Sequence, residues 1–254
     1  MHPLFTINNL SKRFFFKKKP FYALRSLSFS IHPGETIGIV GESGSGKTTL
    51  GKLLLHLYLP NEGTILFKGK DIFQFSSQRL SAYRKSVQMI FQNPASALHP
   101  RMTIEQIICE PLVIYKVFSK EERLHYIYQL LSLVALPKEV LSKYPHECSG
   151  GQLQRVSIAR ALALSPEVIV CDEPFTALDL PTAMQLMELI KYLQRQYNVT
   201  FIFISHDLHM IQSISDRIIV LYLGEIVEFA LTEELFSNPS HPYTQMLLHS
   251  SCIL

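Results

Sequence analysis

The chain has 254 residues, 47% hydrophobic and 18% charged, and its 24 Lys and Arg against 21 Asp and Glu leave a net charge of +3. That length supports a well-buried core at the upper end of a single domain, and the composition excludes a disordered chain. A balance this close to neutral gives no support to a nucleic-acid surface, and the basic cluster of Lys12, Arg13, Lys17, Lys18, Lys19 and Arg25 reads as a solvated loop.

Taken in chain order, two strands are expected near residues 4–10 and 23–31, separated by the segment Phe14-Phe15-Phe16-Lys17-Lys18-Lys19-Pro20. Pro33-Gly34 marks a turn into a buried strand, Glu35-Thr36-Ile37-Gly38-Ile39-Val40. The next residues, Gly41-Glu42-Ser43-Gly44-Ser45-Gly46-Lys47-Thr48-Thr49, fit the pattern G-x-x-x-x-G-K-[ST] at every constrained position, and a helix follows through Leu55. Strand, glycine loop and helix in that order place free N–H groups and the positive end of a helix dipole under an anion. Lys47 can reach the outer phosphates of a nucleotide and Thr48 can ligate Mg²⁺. Short strands follow at residues 63–69 and 87–91, the second ending at Gln92.

From about residue 100 to 165 the pattern turns helical. Ser119 and Glu122 form a capping box ahead of Leu124, Ile127, Tyr128, Leu131 and Val134 on one face. Ser149 and Gln152 form another, opening a helix to Ala163 with Gly150 and Gly151 in its first turn. Two glycines there lower helix propensity, and a close approach of an anion or of backbone is a better reason for them than capping alone. Two βα units then follow: a strand at 168–171 with a helix at 181–197 that starts on Pro181, and a strand at 199–205 with a helix from Leu208. This βαβ alternation implies an α/β fold with a parallel sheet whose working loops lie at the carboxyl ends of its strands.

Those ends carry the chemistry. Asp172 and Glu173 follow a buried strand, where Asp172 can hold the metal and Glu173 can polarise the water that attacks a γ-phosphate. His206 emerges from the next strand, and Gln92 has an uncharged side chain able to touch the metal shell or the water. The four cysteines, Cys109, Cys148, Cys171 and Cys252, show neither C-x-x-C pairing nor metal-ligand spacing with histidine, as expected of reduced cytosolic thiols. Met1-His2-Pro3-Leu4-Phe5 lacks the basic-then-apolar order of a targeting segment. The longest apolar run, near residues 218–223, falls well short of the ~20 residues a membrane span needs, so the chain is not expected to enter a membrane by itself.

In this order the residues resemble the ATP-binding cassette (ABC) ATPases over nearly the whole chain. By resemblance, Gly41 to Thr49 is the Walker A loop, Gln92 the Q-loop glutamine, Ser149, Gly150, Gly151 and Gln152 the core of the signature, residues 168–173 Walker B, Thr176-Ala177-Leu178-Asp179 the D-loop, and His206 the switch histidine. Phe14 is similar to the aromatic that stacks on adenine, with Phe15 and Phe16 as alternatives. The resemblance implies one nucleotide-binding domain of the P-loop class at residues 4–254. It would have a mixed, mostly parallel central sheet, an N-terminal antiparallel β subdomain, a helical subdomain near 93–165, and a C-terminal hairpin and helix near 217–250. It implies ATP and Mg²⁺ as ligands and a head-to-tail dimer with a second ABC ATPase, each ATP held by one subunit's Walker A and the other's signature. Two permease subunits would dock near residues 92–115 at the cytoplasmic face of the membrane, with a solute-binding protein reached through the complex.

The segment from Gln92 to Thr103 and the tail Asn238-Pro239-Ser240-His241-Pro242-Tyr243-Thr244 look like the oligopeptide, dipeptide and nickel importer branch. Cys148 departs from the leucine that usually begins the signature, and Leu254 stands before the cysteine-containing extension of many peptide-importer ATPases, which leaves peptide and nickel or metal-chelate import both open. The runner-up is a non-transport ABC ATPase acting as a mechanical or regulatory module, whose relatives carry coiled-coil insertions or paired cassettes that are not found here. A simple nucleotide kinase or GTPase would have no use for the signature segment.

Overall fold

A computed structural model of the chain describes residues 2–17, 19–176 and 178–251, leaving Lys18, Ala177 of the expected D-loop and Cys252 outside the described residues. Strands β1 (Phe5–Phe16) and β2 (Lys19–Ile31) form an antiparallel hairpin. The basic cluster is therefore only partly a loop, with Lys17 in the connecting turn. Lys12 and Arg13 lie in β1, Lys19 and Arg25 in β2, and the strands are longer than hydrophobic alternation alone suggests because the backbone ladder continues to the pair Phe16 and Lys19.

Strand β3 (Thr36–Val40) is buried throughout and runs into the glycine loop and helix α1 (Lys47–Leu54). Then come β4 (Glu62–Phe67), the short β5 (Lys70–Asp71), helix α2 (Ser77–Ser86) and β6 (Val87–Ile90). The helical lobe comprises α3 (Pro94–Ala97), α4 (Ile104–Ile114), α5 (Lys120–Leu133) and α6 (Gly150–Leu162). Both expected capping boxes are present, Ser119 with Glu122 on α5 and Ser149 with Gln152 on α6. Leu124, expected on the buried face of α5, is exposed, and Leu130 is buried beside Ile127 and Leu131 instead.

The chain closes with β7 (Val168–Asp172), α7 (Leu180–Tyr197), β8 (Thr200–Ile204), α8 (Leu208–Ile214), β9 (Arg217–Tyr222), β10 (Glu225–Leu231), α9 (Thr232–Ser237) and α10 (Pro242–Ser251). Because Asp179 occupies the cap of α7, Pro181 takes the second helical position rather than the first. No helix among the described residues is long and apolar enough to cross a membrane.

The strands form two sheets, an antiparallel one ordered β2-β1-β4-β5 and a six-stranded one ordered β10-β9-β3-β8-β7-β6. The larger is parallel from β9 to β6 and gains an antiparallel edge at β10. Its central strands are buried on both faces, and their alternation sorts two cores. Ile37, Ile39, Val168, Val170, Ile202 and Ile204 pack with α1 and the antiparallel sheet. Val40, Ile169, Cys171, Phe201, Phe203 and Val220 pack with the helical lobe, α7 and α8. This arrangement sets the carboxyl ends of β3, β8, β7 and β6 side by side, which fixes where the expected site residues must meet.

Candidate functional site

The glycine loop leaves β3 and enters α1 through Gly46, whose φ of 108° is a left-handed value that favours glycine. A side chain there would also collide with the Ala23 carbonyl of β2, 2.3 Å from an added Cβ, so the hairpin packs directly on the end of the loop. Glu42, Ser43 and Gly44 form an exposed rim, while Ser45 and Lys47 are buried beneath it. The Lys47 ammonium donates to the Gly41 carbonyl at 2.7 Å and the Glu42 carbonyl at 2.8 Å. Burial pushes the Lys47 pKa down from its ordinary value, opposed by the charges of Glu173, Asp172 and Glu42. A desolvated ammonium beside loop carbonyls is poised for a stronger anionic partner.

The hydroxyl of Thr48, at the first turn of α1, donates to Asp172 Oδ1 at 3.4 Å. Asp172 ends β7 only 8% exposed. Burial first, and the neighbouring Glu173 charge second, raise its carboxyl pKa, with Thr48, Lys52 and Lys47 pulling the other way. A hydroxyl and a buried carboxylate of this kind suit a hard divalent cation, since oxygen donors and missing positive charge are what such an ion needs.

Glu173 follows with φ 46°, left-handed backbone in a residue that has a Cβ, and its N–H donates to the Ile204 carbonyl of β8 at 2.8 Å. The strained turn aims its carboxylate across the strand ends. Gln92 Nε2 donates to Oε2 at 2.8 Å, the Thr176 hydroxyl donates to the same oxygen at 3.2 Å, and His206 Nδ1 lies 3.0 Å from Oε1. The structure thus brings together Gln92, Asp172, Glu173, His206, Lys47 and Thr48 as the sequence implied. Thr176 was quoted only within the D-loop, and its reach back to Glu173 follows from a turn that local sequence does not announce.

Three expected groups lie elsewhere. Ser149 caps α6 and, with Gly150, is exposed. Helix α6 packs on α3, α4, α5 and β6, whereas α1 packs on β2, β7 and β8, so the signature and the phosphate loop belong to different lobes. Gly151 has a packing reason as well, because an added Cβ would stand 2.9 Å from the Thr182 methyl in the first turn of α7. Asp179 caps that same helix and is exposed. Phe14 is half-buried, with its ring 5.9 Å from Phe21 and 5.5 Å from Tyr58, and the Lys12 ammonium lies 5.1 Å above it. Phe15, next along the strand and so on its opposite face, is 67% exposed.

The C-terminal helix also reaches the loop: the Tyr243 hydroxyl accepts from the Glu42 N–H at 3.0 Å. The tail that contains Tyr243 was singled out in the sequence, but nothing in its local pattern points to a loop 201 residues away.

Residues 24–176 match the family model described as ABC transporter, and residues 227–254 match the C-terminal region of oligopeptide/dipeptide transporters. Two relatives from Bacillus subtilis strain 168 are similar over most of the chain. The oligopeptide transport ATP-binding protein AppF is 48% identical over 90% of this chain and 70% of its own length. The oligopeptide transport ATP-binding protein OppF is 46% identical over 96% of this chain and 81% of its own. Among solved structures, the dimeric post-hydrolysis state of the ATP-binding cassette MJ0796 bound to ADP and Pi superposes with a TM-score of 0.82 at 31% identity. It covers 90% of this chain and 98% of that one.

Proposed function

This chain belongs to the ABC transporter family of ATPases, and from that premise we propose that it is the ATP-hydrolysing subunit of an importer for peptides, with nickel or metal chelates as the second solute class. The peptide reading draws on the names of AppF and OppF and on the C-terminal region match. The observation that carries the catalytic reading is the convergence of Gln92, Thr176 and His206 on the Glu173 carboxylate, beside Asp172, Thr48 and Lys47.

In this reading Glu173 accepts a proton from the water that attacks the γ-phosphate, and its three neighbours keep the carboxylate on line for that water. Gln92 and Thr176 hold one oxygen, and His206 holds the other while its exposed ring faces the terminal phosphate. Lys47 exchanges the Gly41 and Glu42 carbonyls for the outer phosphates, replacing neutral acceptors with anionic ones. Thr48 and Asp172, with Gln92 at the edge, would hold Mg²⁺, which neutralises charge on the β- and γ-phosphates when bound. The hairpin aromatics, Phe14 with its more exposed neighbour Phe15, offer ring faces to adenine.

The exposed N-terminus of α6, from Ser149 to Gln152, is surplus to a site completed on another lobe. It fits the γ-phosphate of a second ABC ATPase subunit, with Asp179 at the same seam. The seam closes on ATP and reopens after hydrolysis, a two-state interface gated by the phosphate. Residues Met102, Cys109, Val113 and Ile114 line an open groove of α4, with Val113 51% and Ile114 66% exposed. We assign this groove to a permease subunit, which would hold the chain at the cytoplasmic face of the membrane, with the solute-binding protein engaged through the permeases.

The test is ATP hydrolysis by the assembled transporter with and without a peptide-loaded solute-binding protein. Peptide-stimulated hydrolysis is expected. Stimulation by a nickel chelate alone would select the second solute class, and hydrolysis indifferent to either would overturn import.

A further inference from the structure

One side chain outside the phosphate and water groups enters the nucleotide loop from the far end of the chain. We propose that Tyr243 is a positioning residue for ATP binding: its hydroxyl pins the Gly41–Glu42 peptide, whose Gly41 carbonyl is one of the two that hold Lys47, so that the C-terminal helix sets the geometry of the phosphate loop. The inference rests on the ATPase reading above and extends it to a segment that no phosphate contact requires.

Both backbone groups of Glu42 are engaged, one by the loop's own lysine and the other by a residue near the far end of the chain. Its N–H donates to Tyr243 Oη at 3.0 Å, and its carbonyl accepts the Lys47 ammonium at 2.8 Å. Tyr243 is 6% exposed, and its ring lies against that of Tyr222 with centroids 4.2 Å apart. A phenylalanine would fill the same space, so the hydroxyl's distinct contribution is the bond to the loop. Burial pushes the Tyr243 pKa up, which keeps the hydroxyl protonated at neutral pH.

The segment that presents Tyr243 is itself built to be rigid. The Glu228 carboxylate of β10, only 9% exposed, accepts the Ser240 N–H at 2.8 Å, the Ser240 hydroxyl at 2.9 Å and the His241 N–H at 3.1 Å. Burial alone would raise the Glu228 pKa, but these donors hold it below the ordinary range, so the anchor stays ionised. The Tyr243 N–H then donates to His241 Nδ1 at 3.1 Å. A second attachment runs in parallel, with Gly224 N–H donating to the Ser45 carbonyl at 3.1 Å and the Arg25 N–H donating to the Gly224 carbonyl at 2.8 Å. The β9–β10 turn and α10 thus grip the loop at Ser45 and at Glu42.

A loop that binds an anion through its own N–H groups binds best when its shape is set before the anion arrives, because ordering it afterwards weakens affinity. Releasing Glu42 should therefore weaken ATP binding and leave the chemical step alone, since Gln92, Thr176 and His206 do not depend on Tyr243. The experiment is equilibrium titration of the full chain with MgATP, together with steady-state hydrolysis by the assembled transporter, comparing wild type with Tyr243→Phe and the ring-preserving control Tyr222→Phe. Tyr243→Phe should raise both the Kd and the KM for ATP roughly tenfold with kcat within about twofold, while Tyr222→Phe changes neither. Amide hydrogen exchange in residues 41–46 should be faster in Tyr243→Phe than in wild type.

An unchanged Kd, with or without a lower melting temperature, would make Tyr243 a structural clamp and overturn the proposal, as would a fall in kcat with KM unchanged. If Tyr243→Phe does not fold, partial loosening by Glu228→Gln must produce the same KM rise and loop exchange, and its failure to do so overturns the proposal. A wild-type chain that binds no ATP would instead overturn the nucleotide reading, a result distinguishable from the others.

Discussion

Glu173→Gln separates the proposed base from the geometry that holds it. The amide has the size of the carboxylate, and its oxygen can still accept from Gln92 Nε2 and the Thr176 hydroxyl, which meet Oε2 at 2.8 and 3.2 Å. Its NH₂ then faces His206 Nδ1 at the 3.0 Å position, where a neutral imidazole accepts by carrying its proton on the other nitrogen. Every neighbour keeps a partner, so the folded state should change by less than about 1 kcal/mol. What is lost is the basic oxygen. General-base catalysis contributes about 10²- to 10⁴-fold, or about 2.7 to 5.4 kcal/mol of barrier, and kcat should fall by that much with ATP affinity retained. Glu173→Ala is the contrast, because it leaves Gln92, Thr176 and His206 without their common acceptor and should also lower the melting temperature. Steady-state hydrolysis at saturating ATP on the assembled transporter and nucleotide titration on the full chain measure the two quantities. A loss of kcat below tenfold in Glu173→Gln would refute the assignment of the base, and a parallel loss of ATP binding would show that the carboxylate positions nucleotide rather than water.

Three other outcomes follow from the same geometry. Asp172→Asn should abolish hydrolysis yet stabilise the nucleotide-free chain: a carboxyl pKa raised in the fold destabilises at pH above that value and is relieved as pH falls to the unfolded value. The melting-temperature gap between variant and wild type should therefore open as pH rises from about 4, the ordinary aspartate pKa, and a gap that widens on acidification would be the wrong sign. Gly151→Val forces a side chain against the Thr182 methyl at 2.9 Å and should impair hydrolysis at the partner subunit's Walker site while leaving ATP binding by this chain intact, which titration of the isolated chain would check. Ile114→Asp, on a residue 66% exposed, should shift the stability of the isolated chain by no more than about 0.5 kcal/mol but suppress peptide-stimulated hydrolysis of the complex; stimulation at the wild-type level would remove this residue from the docking groove.

What the sequence disclosed and what it withheld divide along a physical line. Capping boxes at Ser119 and Ser149 were legible because cap and acceptor sit three residues apart, and β3, β7 and β8 because unbroken apolar runs flanked by turns leave little else to be. Helix α2 was not, since Tyr83 is its one buried residue, with Leu80 only partly buried, and so few apolar positions print no period on a polar segment. Leu124 was placed on one helical face with Ile127 and Leu131 and is exposed because periodicity defines a face but not how wide a stripe the neighbours cover. The extended β1–β2 hairpin was read as a charged loop because charge pattern does not register ladder pairing. Thr182 against Gly151 and Tyr243 on Glu42 depend on how distant elements pack, which no local window contains, whereas Thr176 reaches Glu173 within a three-residue turn whose shape its residues do not announce.

The charge balance around Lys47 and Asp172 explains why one event can set the whole interface. Lys47 is an ammonium shifted down by burial, and Asp172 is a carboxyl shifted up by burial and by Glu173, so each charge is short of an opposite partner. They cannot satisfy one another, because Lys47 is turned back onto the Gly41 and Glu42 carbonyls while Asp172 is turned to the Thr48 hydroxyl. A triphosphate brings negative charge to the first and, with its cation, positive charge to the second. The desolvation cost of burying both groups is then offset by ligand charge rather than by rearrangement of the protein. Binding therefore stabilises the loop, β7 and α1 together. In the proposed dimer the γ-phosphate would face the helix-terminal N–H groups of a second subunit's Ser149-to-Gln152 segment. Cleavage removes the group that both subunits share while leaving the one that satisfies Lys47, so the interface should open before the nucleotide leaves.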